Sequence, residues 1–123
     1  MYRFTSIGNY IEDADNGIVF SGEGGQHLSM GDTLRNVTVS PILMQSVSAD
    51  EPAACRVLNA HLIDCDHTTT AVALVAIQGI NNEVRGLKVT NTSSPAYNII
   101  GWFGADANNC LLEIDRADSG ALS

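Results

Sequence analysis

The chain consists of short apolar runs separated by glycine, asparagine, aspartate, serine and threonine. The apolar spacing of an amphipathic helix, at positions i, i+3, i+4 and i+7, is hard to find along it. Short runs rich in valine, isoleucine and threonine, bounded by residues that favour turns, are typical of β-strands. The pattern therefore predicts many short strands joined by tight turns.

The apolar runs recur with a nearly constant period, which corresponds to about 25 residues. The clearest column takes one residue from each of four segments at almost equal steps: Val39, Ile63, Val89 and Ile114. Two positions earlier stands a second column, apolar except for its histidine: Val37, His61, Leu87 and Leu112. This period predicts a solenoid, because a single coil cannot bury its apolar face whereas stacked coils share one core.

A second set of strands keeps the same period. Residues 73–79 lie one such period before residues 98–104, and residues 17–22 have a similar shape nearer the N-terminus. Two strands for each period favour a coil in which each strand pairs with its equivalent in the next coil. Alternation then predicts inward positions at every second residue of one strand, namely Leu87, Val89 and Asn91, with Lys88 and Thr90 outward.

Two runs carry the coil pattern most clearly, residues 57–65 and residues 83–92, the second entered through the turn-like pair Asn81-Asn82. The pattern over residues 34–116 resembles the right-handed parallel β-helix superfold. That superfold includes pectate-lyase-like enzymes and the tailspikes, fibres and other virion proteins of tailed bacteriophages. The expected fold is all-β, a short right-handed parallel β-helix of about four coils. The alternative is an antiparallel β-sandwich, which also has short strands and regular turns.

The length of the chain predicts a single domain, residues 1–123. The stretch 1–16 does not repeat and is expected to cap one end of the solenoid, whereas residues 34–116 form the coils. The tail 117–123 is too small and polar to cap the other end, so a partner chain is expected to cover the core there, or the chain is a piece of something longer. A homo-oligomer is therefore expected, with a trimer favoured.

The charge balance excludes two classes of partner. Six Lys+Arg stand against fourteen Asp+Glu, which gives a formal charge of −8. A chain this acidic is not expected to bind nucleic acid or an anionic membrane through general electrostatics. It has no apolar run long enough to span a bilayer, and residues 1–6 lack the apolar region of a secretion signal. No cofactor is expected.

The cysteines are expected to be structural. Their odd and small number argues against a disulfide framework, and without a CxxC pair no metal site is expected. Cys55, Cys65 and Cys110 are therefore predicted to be small buried hydrophobes that stay reduced.

The densest polar cluster follows one of the predicted strands and contains His61, Asp64, Asp66 and His67. In the predicted register Asp64 points outward, and Asp115 shares its column two coils away. Asp64, Asp66, Asp115 and His67 are the candidate catalytic residues, since carboxylates and imidazoles perform acid–base chemistry. The lyase and hydrolase branches of the superfold place acidic side chains on nearby coils in this way. The alternative is a solvated turn, with His61 pointing inward as a core histidine.

Two pairs of residues are candidates for a ligand site or an interface. Glu23 and His27 flank two glycines, which would let a loop approach a ligand closely, although a surface loop or subunit contact is favoured. Trp102 and Phe103 are adjacent, so on a strand one faces the core and the other faces outward. The outward aromatic is expected in a subunit interface, or else stacked on a sugar ring.

The sequence favours a structural protein of a bacteriophage virion, assembled in the host cytoplasm among other virion proteins. It would be a tail spike or tail fibre segment or a capsid decoration protein, acting in assembly, particle stabilisation or attachment to a host glycan. The short solenoid, the acidic surface and the lack of a catalytic signature favour this interpretation. The alternative is a carbohydrate-active enzyme, a polysaccharide lyase or hydrolase that uses a carboxylate-lined face of the coils.

Overall fold

The computed structural model describes residues 4–21, 25–45, 52–66, 73–91 and 99–119. All regular structure in these ranges is β, which confirms the all-β prediction. The twelve strands are β1 (Thr5–Ile7), β2 (Tyr10–Glu12), β3 (Asn16–Ser21), β4 (Leu28–Met30), β5 (Thr33–Arg35), β6 (Ser40–Gln45), β7 (Arg56–Leu58), β8 (His61–Ile63), β9 (Val75–Ile77), β10 (Glu83–Asn91), β11 (Gly101–Phe103) and β12 (Leu111–Ser119).

The strands form two sheets in which every pair is parallel. The larger sheet runs in the order β1-β4-β7-β10-β8-β5-β2, with β12 paired to β10. Its first arm contains β1, β4, β7 and the start of β10, and its second arm contains β2, β5, β8 and the end of β10. The smaller sheet runs β11-β9-β6-β3. Each coil thus adds a strand to every face, which is the predicted solenoid and excludes an antiparallel sandwich.

The stack is slightly shorter than the sequence suggests. The four strands of the smaller sheet are separated by three coil-to-coil steps, so the solenoid makes about three turns, where about four coils are predicted. Within the stretch 1–16, β1 and β2 pair with β4 and β5 and so belong to the first coil.

Left-handed backbone conformations mark three corners of each coil. The corner between the two arms contains Gly8, Gly31, Asn59 and Gly86, the corner before the first arm contains Gln26, Ala54, Asn81 and Asn109, and the corner after the second arm contains Asp13, Asn36 and Asp64. Glycine adopts this conformation freely, and asparagine and aspartate tolerate it better than other residues. Because the left-handed positions recur from one coil to the next, the corners stack directly on one another.

Side chains at the stacked corners also bond to each other. Asn36 Nδ2 donates to Asp13 Oδ1 at 2.7 Å, and Asn109 Nδ2 donates to Asn81 Oδ1 at 2.6 Å. The corner at Gly86 is tightly packed, since a Cβ there would meet the side chain of Asn59 in the coil below. These contacts hold each coil in line with its neighbour.

The core is made of inward columns that continue from coil to coil. Leu34, Leu62 and Val89 follow one another in register along the second arm, and all three are buried. In the smaller sheet a column of larger side chains does the same: Phe20, Met44 and Ile77. Because apolar burial of this kind is shared between coils, no coil is stable without its neighbours.

One buried polar side chain ties the coils together at the start of the first arm. Asn82 is fully buried, and its Oδ1 accepts a hydrogen bond from the N–H of Cys55 at 2.8 Å. Its Nδ2 donates to the carbonyl oxygens of Pro52 at 2.9 Å and Gln78 at 2.7 Å. Asn82 therefore bonds to three backbone groups, and the bonds to Cys55 and Pro52 are buried.

The inward and outward positions along β10 are mostly as predicted. The predicted alignment of β10 with the preceding coil, however, is wrong by one residue. Leu87 and Val89 are buried and Lys88 is exposed, while the side chain of Asn91 lies outside the described part of the chain. Val89 pairs with Leu62, whereas Ile63 pairs with the outward Thr90. Leu62 and Ile63 are consecutive and both apolar, so alternation alone does not select between them.

The predicted period is also too regular. The period predicts Val39 on the same face as Val89, but Val39 lies at the corner between β5 and β6, where its N–H donates to the carbonyl of Asp15. The real register steps along the first arm are unequal, as the numbers of its successive partners show: Thr5, Leu28, Arg56, Glu83 and Leu111. Turns of different length between the strands account for the difference.

The register can be tested with two adjacent alanine variants. Leu62→Ala removes a fully buried side chain and is expected to lower the free energy of unfolding by about 2–5 kcal/mol. Ile63→Ala truncates a half-buried, outward side chain and is expected to cost less than half as much. Urea unfolding followed by circular dichroism measures both. Equal losses, or a larger loss for Ile63→Ala, would contradict the register.

The role of Asn82 can be tested against its exposed neighbour. Asn82→Ala leaves the buried N–H of Cys55 without its acceptor, at about 1–3 kcal/mol for a group left unpaired, and removes one hydrogen bond each from the carbonyls of Pro52 and Gln78. Asn81→Ala is the matched control, because it removes only the exposed hydrogen bond from Asn109 and Ala54 occupies the same left-handed corner one coil earlier. The same urea titration should show a large loss for Asn82→Ala and a small one for Asn81→Ala. A loss of stability confined to Asn81→Ala would show that the buried hydrogen bonds matter little.

Candidate functional site

A groove runs along the corner that precedes the first arm. It has a volume of about 530 Å³ and is lined by two rows of side chains. The outer row takes one residue from each of four successive strands: Thr5, Leu28, Arg56 and Glu83. The inner row takes left-handed corner residues: Gln26, Ala54 and Asn81.

The fold itself aligns these side chains. The outer row alternates with the buried positions Ser29, Val57 and Val84, so its members point away from the core. Neighbouring parallel strands lie about 4.8 Å apart, so a row over four strands is about 14 Å long. The groove therefore follows the axis of the solenoid and suits an extended ligand.

The groove is polar and carries both signs of charge. Glu83 is partnered by Arg85, whose Nε lies 3.1 Å from its carboxylate. Arg56, in the adjacent strand, is exposed. The amides of Gln26 and Asn81 and the hydroxyl of Thr5 add donors and acceptors, with Leu28 as an apolar patch between them. Such a lining is suited to hydrogen bonding with a polyhydroxylated chain.

The predicted catalytic carboxylates lie away from this groove. Asp64 is half-buried at the corner after the second arm, where its N–H donates to the carbonyl of Thr90 at 2.8 Å. Asp66 follows it, and its N–H donates to the carbonyl of Val37 at 2.9 Å. Both aspartates therefore take part in the turn that leaves the second arm.

The predicted column that joins Asp64 to Asp115 is wrong. Two coils above Asp64 the register places Ser119, because Thr90 pairs with Asp118 and Ile63 pairs with Thr90. Asp115 instead lies exposed on β12 beside Arg116, which pairs with Lys88 near the corner between the two arms. The two aspartates therefore occupy different corners of the coil.

The other members of the polar cluster do not form a site around Asp64. His61 points outward, in the row of Thr33 and Lys88, and its Nε2 is hydrogen-bonded to Thr90 Oγ1 at 2.9 Å. The inward core histidine suggested by the sequence is therefore wrong, because Leu62 takes the inward position. His67 lies outside the described residues.

The second arm also carries a small charged group at the N-terminal end of the stack. A hydrogen bond with Tyr10, together with the carboxylate of Glu12, raises the pKa of Arg35. Arg35 and Glu12 are 4.0 Å apart and both exposed, so their pairing contributes little to stability.

His27 is a packing residue as well as a corner residue. Its ring stacks on Phe20, with 5.1 Å between ring centroids, and its Nδ1 accepts a hydrogen bond from the N–H of Phe4 at 3.0 Å. Glu23, predicted on the same loop, lies outside the described residues. His27 thus closes the first coil over the aromatic core residue Phe20.

Trp102 and Phe103 face opposite sides of the smaller sheet, as the alternation predicts, yet neither is buried. Trp102 points outward beside Ala76. Phe103 continues the inward column of Met44 and Ile77 but is 48% exposed, because no described strand covers β11 on its far side. Phe103 is therefore the inward aromatic, and it is exposed because it lies in the last described strand of its sheet.

The cysteines are free thiols, as expected for structural residues. Cys55 and Cys65 are buried, and burial raises the pKa of both thiols, so they are poor nucleophiles. Cys110 is half-buried, which differs from the predicted full burial, because it belongs to the last coil.

Two further findings concern metal ligands and membrane-spanning helices among the described residues. Among residues 4–21, 25–45, 52–66, 73–91 and 99–119, no three histidine, cysteine, aspartate or glutamate side chains are placed to hold a metal ion. In the same ranges no helix is long and apolar enough to cross a membrane.

The sequence does not reveal the groove, because each coil supplies at most two residues to it, one at the corner and one on the strand. Arg56 and Glu83 are separated by a whole coil of sequence and share no local motif. Only the true register, with its unequal steps, brings them side by side.

Comparisons of the chain with models of protein families, with curated proteins and with solved structures found no match. The solenoid fold therefore stands on the strand pairing alone.

Proposed function

We propose that the chain is a structural subunit of a bacteriophage particle, a tail spike or fibre segment or a capsid decoration protein. It works by assembling with further copies of itself and with other virion proteins. The observation that carries this proposal is the exposure of inward apolar side chains in the last described coil. Two inward side chains remain well exposed there, Phe103 at 48% and Ile114 at 42%.

The exposure at this end is unusual for inward positions of the fold. The residues below Phe103 in its column, Met44 and Ile77, are fully buried, and so is Leu87 below Ile114. Covering a large apolar side chain completely stabilises a protein by about 1.5–3 kcal/mol, so covering two half-exposed ones contributes about that much in total. An end of this kind favours contact with another subunit.

The corner groove supports a role in attachment to a host glycan. It is open, polar, about 14 Å long and aligned with the coils, which suits an extended saccharide chain. Arg56, Gln26 and Asn81 offer hydrogen-bond donors along it. Recognition of this kind needs no catalysis.

The enzyme alternative has less support. Hydrolysis of a glycosidic bond ordinarily requires two carboxyl groups facing one another across the bond. Glu83 is the one carboxylate among the described residues that line the groove, and it is paired with Arg85. Asp64 and Asp115 lie at different corners. We therefore favour binding without cleavage.

The mass of the purified chain in solution tests the assembly proposal. Light scattering is expected to give a multiple of the 13.0 kDa chain mass, and Phe103→Glu is expected to lower it toward 13.0 kDa by placing a charge in the covered end. Met30→Glu is the matched control, because Met30 is an exposed apolar residue on the side of the solenoid. A monomer at all concentrations would contradict the proposal.

A panel of bacterial surface polysaccharides tests the groove. Binding without release of fragments is expected for at least one polysaccharide, and Arg56→Ala should weaken it about tenfold or more through loss of a charge-assisted hydrogen bond. Arg35→Ala, which removes an exposed arginine on the other arm, is the control. Binding can be measured by surface plasmon resonance and cleavage by the appearance of new sugar ends. Cleavage products would favour the enzyme, and equal effects of the two variants would place binding elsewhere.

A further inference from the structure

The two ends of the solenoid differ in chemistry. At the N-terminal end, polar side chains occupy inward positions in the first two coils. Asp32 and Ser29 are fully buried, and Ser29 Oγ donates to Asp32 Oδ2 at 2.5 Å. Asp32 Oδ1 accepts from the N–H of Asn9 at 2.7 Å, and Asn9 Nδ2 donates to Ser6 Oγ at 2.7 Å. We call this group of four residues the polar plug.

The same columns become apolar toward the C-terminal end. The column that begins with Ser6 and Ser29 continues through Val57 and Val84 to Leu112. A second column runs beside it. In this column Asp32 lies two coils below Leu87, and Leu87 pairs with Ile114. Along these columns the N-terminal end is therefore more polar than the C-terminal end, whereas Phe4, Ile7 and Tyr10 are exposed apolar residues elsewhere on the first coil.

The C-terminal end also carries a long strand edge. Among the described residues, β12 pairs only with β10 and β11 pairs only with β9. Within the described part of the chain, the far edge of this nine-residue strand therefore has no strand partner for its backbone donors and acceptors. An edge of this kind is a template for a further strand.

The geometry points to a second copy of the chain as the occupant, stacked C-terminal end to C-terminal end about a two-fold axis. In this arrangement the two β12 strands pair antiparallel across the axis. The inference rests on the proposed function, since it takes the C-terminal end as an assembly surface, and it names the partner and its orientation. It also replaces the trimer expected from the sequence with a closed dimer.

Self-complementarity along β12 supports the two-fold arrangement. If the axis passes between Ile114 and Asp115, the inward Leu112 lies opposite Ala117 of the second copy, which is also in an inward register position. The same register places Glu113 opposite Arg116 of the second copy, and the symmetry makes this contact twice. Opposite charges face one another across the edge, so the charged residues that would repel an unrelated strand fit a second copy.

A head-to-tail stack fits the same surfaces less well. Continuing the parallel register would place Ser6 of the next copy on Leu112, and the polar plug on the uncovered core around Ile114. Polar groups would then lose water without gaining partners. The two-fold dimer avoids this cost, because both polar plugs stay at its outer ends, and it closes without growing into a filament.

Charge reversal on β12 tests the arrangement in the full chain. At about 0.15 M salt, where long-range repulsion is screened, light scattering should give twice the 13.0 kDa chain mass. Glu113→Arg alone, or Arg116→Glu alone, places like charges across the axis and should raise the dimer dissociation constant about tenfold or more. The double variant Glu113→Arg/Arg116→Glu restores opposite charges and should restore the dimer. Glu12→Arg, at the N-terminal end, is the matched control and should leave the mass unchanged.

Circular dichroism checks that each variant is folded. The two single variants test the same contact, because each one reverses the charge of a different partner in it. Weakening by each single variant with recovery in the double variant supports the inference. An oligomer that is indifferent to the reversals, or a trimer, overturns the two-fold arrangement and leaves the proposed assembly function standing. A monomer at all concentrations overturns both.

Discussion

The fold depends on every coil turning at the same three places. Parallel strands pair only if their coils stay in line, and a single displaced corner would shift all inward side chains that follow it. Left-handed residues at each corner meet this requirement, because glycine, asparagine and aspartate turn the chain sharply at little steric cost. Bonds between stacked corners, such as the one from Asn36 to Asp13, then fix one coil over the next. The apolar columns, the groove and the two ends all follow from this alignment.

The sequence predicts the architecture well and the register less well, for an identifiable reason. Recurring apolar runs reveal a solenoid because only stacked coils can bury them. Alternation places Leu87 and Val89 inward correctly, since each is flanked by a polar residue or glycine. It fails at Leu62 and Ile63, which are consecutive and both apolar. The predicted alignment of Asp64 with Asp115 is wrong for a related reason, because the turns between coils differ in length.

The candidate surfaces are properties of the stack as a whole, which explains why the sequence shows so little of them. The groove draws single residues from strands that are a full coil apart along the chain. The exposure of Phe103 has no local signal either, since the same inward position is fully buried at Ile77 one coil below. What distinguishes Phe103 is its place at the end of the stack. Surface chemistry in such a fold is decided by how many coils lie above and below a residue.

The polar plug gives the solenoid a direction, and this bears on how such a chain changes length during evolution. One terminus of the described stack carries Ser6, Asn9, Ser29 and Asp32, and the other carries the edge of β12. A coil duplicated in the middle, with its three corners kept, would pair with its neighbours on both sides and alter neither end. Height and groove length could therefore vary by whole coils while the terminal surfaces are inherited unchanged. Selection on the length of the solenoid and selection on its partner contacts would then act on separate parts of the same chain.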